Sequence, residues 1–80
     1  MELQLINAQF DAKDALDILT QMFNVKIKYH ENKITSASSE EEIKMRENKI
    51  KYLQKEISDA GRFIKNGNKN SIEAKIKLTY

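Results

Sequence analysis

Residues 39 to 66 read SEEEIKMRENKIKYLQKEISDAGRFIKN. Ile43, Ile50, Ile57 and Ile64 recur every seven residues, and Leu53 and Ala60 fall three after two of them. That is the a/d seam of a long helix with a β-branched residue at every a position. Arg46 breaks the d series once, near the start. A row of isoleucines this regular needs a facing surface, because each one left in water forfeits ~1.5–3 kcal/mol of burial.

The start of that helix is written in its polar residues. Ser39 with Glu42 forms a capping box, and Ser38 with Glu41 offers a second register. Glu40, Glu41 and Glu42 place negative charge at the positive end of the helix dipole. Glu42 with Arg46 and Glu47 with Lys51 are acid-to-base pairs four apart on the outer side. Gly61 is a weak point inside the helix and permits a close helix crossing. Lys65 suits the negative end, and Gly67 is a natural residue just past it.

Upstream, Met1 to Ile6 alternates as a strand, with Met1, Leu3 and Leu5 on one face and Glu2, Gln4 and Ile6 on the other. Asn7 to Phe10 reads as a connection, with Phe10 as a hydrophobic staple, and Asp11 as the N-cap of a first helix. Ala12, Ala15, Leu16, Leu19, Met22 and Phe23 give that helix a broad apolar face. Phe23, Ile27, His30 and Ile34 continue the face by steps of four, three and four, so the helix runs to about Ile34. The stretch from Asn24 to Tyr29 alternates and marks the place where the helix would break. Thr35 to Ser38 is a short polar loop.

Downstream, Asn66 to Asn70 is a turn by composition. Ser71 to Tyr80 alternates, with Ile72, Ala74, Ile76 and Leu78 facing one way and Glu73, Lys75, Lys77 and Thr79 the other. Glu2 is expected across from Lys75 or Lys77.

The order is β-α-α-β, an α+β chain. Two helices of similar length joined by a short loop make an antiparallel hairpin, which brings both strands to one end, where antiparallel pairing is easiest. Residues 1–80 read as one small domain. A chain of 80 residues with no cysteine has neither a large core nor a disulfide to hold it. A lone two-stranded sheet is marginal in water. Self-association is the remaining source of stability, and a homodimer with a four-helix arrangement is expected. The expected core and self-association seam is Leu16, Leu19, Phe23, Ile27, Ile43, Ile50, Leu53, Ile57, Ala60 and Ile64, with His30 beside it.

Catalytic templates fail on inventory. There is no cysteine, one histidine and no Gly-rich phosphate loop. No cofactor and no metal site follows from the residues: the glutamates at 40–42 lack the alternation of a calcium loop. Tyr29, Tyr52 and Tyr80 are too scattered to stack bases. A net charge of +2 with acids and bases interspersed gives a soluble surface and no dense basic patch. No apolar run approaches a membrane span, and MELQLINAQF lacks the form of a signal peptide, so a cytoplasmic protein is expected. The Lys, Asn and Ile content points to an AT-rich, bacterial coding sequence.

A strand followed by two helices resembles the order of the ribbon-helix-helix family of small bacterial repressors. That resemblance implies N-terminal strands of two subunits pairing and entering the major groove. The outward residues would be Glu2, Gln4 and Ile6, with Glu2 against phosphates. The helices here are longer than that family's, and a C-terminal strand is added. Lys75 and Lys77, with Lys69 nearby, are the better candidates for touching nucleic acid; lysines on a strand also guard a sheet edge. The first expectation is a non-enzymatic oligomerisation or adaptor module. The alternative is a nucleic-acid-binding regulator that uses the basic C-terminal strand.

Overall fold

A computed structural model describes residues 1–65 and 69–80. The elements follow as β1 (Glu2–Asp11), α1 (Ala12–Lys33), α2 (Glu40–Lys65) and β2 (Lys69–Lys77). The class is α+β: two helices and one two-stranded antiparallel sheet.

The sheet pairs the two ends of the chain. Glu2 lies opposite Lys77, as cross-strand charge pairing required, and the ladder continues to Asp11 opposite Lys69. The N-terminal strand therefore pairs with its own chain's C-terminal strand, unlike the ribbon-helix-helix arrangement. Beyond the ladder, the Leu78 N–H donates to the Met1 carbonyl at 2.7 Å, and the Met1 amine donates to the Leu78 carbonyl at 3.0 Å.

β1 is longer than its N-terminal alternation suggested. Asn7 to Phe10 is strand rather than connection, and Phe10 sits in the ladder opposite Asn70. The cause is a β-bulge. Gln4 pairs with Lys75 and Ile6 with Ala74, so Leu5 is the extra residue. Apolar residues fall on odd positions up to Leu5 and on even positions from Ile6 onward. A regular strand would turn one set outward, because a shift of one residue exchanges the two faces. The bulge absorbs the change of phase and puts Leu3, Ile6, Ala8 and Phe10 on the face that carries Ile72, Ala74 and Ile76. The assignment of Ile6 to the face of Glu2 and Gln4 is thereby corrected. The Gln4 side-chain amide donates to the Ile6 carbonyl at 2.8 Å, which serves a backbone group at the bulge.

α1 runs unbroken through Asn24, and Asn24 to Tyr29 is helical. Ile27 and His30, three residues apart on the inner face, are buried there, and that burial outweighs the local strand-like alternation. Asp11 holds the N-cap position with extended backbone, but its side chain makes no capping bond; it still belongs to the ladder opposite Lys69. In the loop, the Thr35 N–H donates to Ser38 Oγ at 3.0 Å, so Ser38 is committed to the turn. Ser39 is the cap: the Glu42 N–H donates to its Oγ at 3.2 Å.

The expected Glu42–Arg46 and Glu47–Lys51 pairs are not formed. Ion pairs among the described residues are Asp59–Arg62 at 3.9 Å and Glu73–Lys75 at 3.4 Å. Exposed pairs gain too little to fix two long side chains, and Arg46 has a better partner across the hairpin. β2 begins at Lys69 and ends at Lys77, so Thr79 and Tyr80 lie past the strand. The expected turn at Asn66 to Asn70 loses Lys69 and Asn70 to the strand, while residues 66–68, with the Gly67 cap, fall outside the described residues.

The helices are about 33 and 39 Å long at 1.5 Å per residue, and the ribbon about 33 Å. Laid end to end they would exceed the observed Cα extents of 46 × 32 × 13 Å, so the ribbon and the hairpin are not collinear. The molecule is a slab. Its radius of gyration is 15.4 Å, against about 12 Å for a compact chain of this length.

A methyl group at Gly61 would lie 3.6 Å from Leu16 Cδ1, an ordinary contact, so the crossing does not require glycine. Gly61→Ala is therefore expected to stabilise the fold by up to ~1 kcal/mol through helix propensity, a rise of several degrees in a thermal melt. A lower melting temperature would mean that the helices approach more closely at this point.

Candidate interaction surfaces

Helix geometry divides the apolar residues of α2 into three rows. Leu53 and Ile64 are buried against α1, where Ala15, Ile27 and His30 are also buried. At 100° per residue, Ile43, Ile50 and Ile57 lie about 40–80° to one side of Leu53, while Met45, Tyr52 and Phe63 lie about 80–100° to the other. The isoleucines are half-buried, and the second group is exposed, with Phe63 at 77 %. Ala60, Leu16, Leu19 and Phe23 are half-buried. The seam thus closes the hairpin along its d row and leaves most of its a row partly open. The sequence pattern did not single out Met45, Tyr52 and Phe63, nor Val25, which is exposed on α1. The seven-residue step from Met45 to Tyr52 was the available signal.

The break in the d row has a partner. Arg46 donates from its guanidinium to His30 Nδ1 at 2.9 Å. The same guanidinium lies 5.7 Å from the Tyr29 ring centroid, and Lys33 Nζ lies 5.5 Å from it. Tyr29 and His30 meet edge to face at 5.4 Å. Arginine has no acceptor, so Nδ1 must offer its lone pair and the ring proton sits on Nε2. His30 is therefore neutral in this arrangement. Burial holds its pKa below the ordinary histidine value, and the charges of Arg46, Lys49 and Lys26 act the same way.

Beside this contact an open groove of about 620 Å³ runs between the helices, lined by Lys26, His30, Asn48, Lys49, Tyr52, Leu53 and Glu56. The Tyr52 phenol donates to the Glu56 carboxylate; that bond, the carboxylate's charge and partial burial all raise its pKa. The phenol thus keeps its proton, the only imidazole has its basic nitrogen occupied, and no thiol exists. No pair in the groove matches a nucleophile with a free base. Among the described residues no group of three His, Asp or Glu side chains converges as a metal site. Among the described residues no helix is long and apolar enough to cross a membrane.

A smaller cavity of about 180 Å³ lies where β2 meets the hairpin, lined by Ala15, Leu19, Ala60, Phe63, Ile64, Asn70, Ser71 and Ile72. The Asn70 amide nitrogen is buried there and finds no partner among the described residues.

Lys69, Lys75 and Lys77 share the outer face of the ribbon with Glu2, Asp11 and Glu73. Three cations face three carboxylates, and Lys75 is already paired with Glu73 at 3.4 Å. The strand is basic, but the face it belongs to is balanced. Duplex recognition rests on uncompensated cations, and this face offers none in excess.

No protein-family model, curated protein or solved structure matches the chain.

The His30–Arg46 contact sets a pH dependence. Protonation of His30 removes the acceptor and adds a cation among Lys26, Lys33, Arg46 and Lys49. With the folded pKa below the ordinary value of about 6.5, the unfolded chain binds the proton more readily. Stability is complete above about pH 6.5 and falls as pH drops toward the folded pKa. Thermal melts from pH 7.5 to 5 are expected to show that decline, and His30→Gln, which keeps an acceptor but cannot titrate, is expected to flatten it. An equal decline in both proteins would assign it to other groups.

Proposed function

We propose that this chain is a non-enzymatic self-association module whose helical hairpin packs against a second copy along Ile43, Ile50 and Ile57, giving a four-helix arrangement. The observation that carries this reading is the amount of surface left over. The accessible surface is 6695 Å². A compact monomer of this size would expose about 5,000 Å². The excess is roughly twice the ~800 Å² that each partner contributes to a stable interface of standard size.

The isoleucine row suits the role. It is apolar and keeps to one side of α2, as a row that packs against another helix must. The residue inventory of the groove supports a role in contact rather than in chemistry, and the balanced ribbon face favours a protein partner over nucleic acid.

Sedimentation equilibrium of the wild-type chain and of Ile50→Asp tests the reading. The wild type is expected at twice the chain mass or more at micromolar concentration. Ile50→Asp is expected to move to lower mass, with helical circular dichroism retained because Leu53 and Ile64 still close the hairpin. A wild type at the mass of one chain throughout would overturn the proposal. Fluorescence anisotropy with duplex DNA at two salt concentrations checks the competing class: a self-association module shows little binding at either. Tight, salt-sensitive binding lost in Lys75→Glu with Lys77→Glu would instead establish a nucleic-acid regulator.

A further inference from the structure

Apart from Asn70 at its base, one face of the ribbon is apolar, and only part of it is covered. The bulge at Leu5 exists in phase with the apolar pattern: it keeps Leu3 and Ile6 on one face, where an uninterrupted strand would separate them. Near the base, Ile6, Phe10, Ile72 and Ala74 are partly buried. Toward the tip the cover ends. Leu3 and Ile76, directly opposite each other, are 41 % and 38 % exposed, Leu5 and Leu78 are half exposed, and Met1 is 79 % exposed. The helices of the same chain leave these tip residues open to solvent.

We propose that the apolar face of this tip is a second contact surface, taken by the tip of another copy of the chain, face to face about a two-fold axis. The inference rests on the self-association reading and adds a place to it. Three observations select a second copy. The leftover surface exceeds what one standard interface consumes, so it accommodates a contact besides the isoleucine row. The patch formed by Leu3, Ile76 and Leu78 contains no charged side chain, so it is self-complementary, as an isologous contact must be. The side-chain charges of the ribbon lie on its opposite face and balance there, so no side chain of the patch selects an acidic or basic partner. Two stacked ribbons also supply the four strands that a lone two-stranded sheet lacks.

The test compares sedimentation of the wild type with that of Leu3→Lys/Ile76→Lys at matched concentrations. Leu78→Cys serves as an independent probe in a chain that has no other thiol. The double variant is expected at lower mass than the wild type, with self-association weakened at least tenfold and helical circular dichroism unchanged. Leu78→Cys is expected to form a covalent dimer on mild oxidation, and a Ser36→Cys control in the hairpin loop is not. A double variant that keeps the wild-type mass and affinity would overturn the tip contact and leave the hairpin association standing. A wild type of single-chain mass would overturn both. If the double variant loses its fold, the thiol decides: absence of covalent dimer from Leu78→Cys overturns the proposal.

Discussion

The fold depends on the closure of α1 against α2. Leu53 and Ile64 on one helix and Ala15, Ile27 and His30 on the other form most of the buried interior. Among the described residues no large side chain is fully buried. That thin line of contact does more than stabilise two helices. It brings Glu2 to Lys77, residues from opposite ends of the sequence. Closing a loop of that length from an open chain has a high entropic cost, which grows with the logarithm of loop length. The hairpin reduces it to a short final closure. The ribbon is thus a product of the hairpin, and its strands have no reason to meet without it.

The same economy explains the shape. A two-helix layer has one line of mutual contact and two broad outer surfaces. The ribbon meets the hairpin beside Ala15, Leu19, Ala60 and Ile64. A slab with Cα extents of 46 × 32 × 13 Å follows. Hydrophobic residues that would be interior in a rounder protein stay at its faces. Isolated exposed apolar side chains need no explanation. Here apolar side chains recur in rows: half-buried isoleucines every seventh residue along α2, and leucine and isoleucine along one side of the ribbon. Rows at the period of the secondary structure support the contact role proposed for them.

Much of the fold was legible in the sequence because its signals are local. The seven-residue isoleucine repeat marked α2, Ser39 marked its start, and the alternation of Ile72, Ala74 and Ile76 marked β2. What escaped depended on a partner strand or helix. The bulge at Leu5 looks, in one strand alone, like the end of the alternation; only pairing with Ala74 shows it to be a change of phase. Likewise Arg46 read as a defect in the d row and His30 as a polar intruder on an apolar face. Their meeting at 2.9 Å depends on the register of the hairpin. Reflecting the sequence about the middle of the loop would have paired His30 with Ile43 instead. Of the candidate seam, Ile27, Leu53 and Ile64 proved buried, and the remaining members are half-buried. The division between what closes the hairpin and what stays open was a matter of helix rotation, which spacing alone does not set.

Small-angle X-ray scattering over a dilution series tests most directly whether this slab is a component of an assembly. The account requires a forward intensity corresponding to two or more chains at micromolar concentration, with a radius of gyration unlike the 15.4 Å of one chain. A particle of single-chain mass with a radius of gyration near 15.4 Å at every concentration would contradict it.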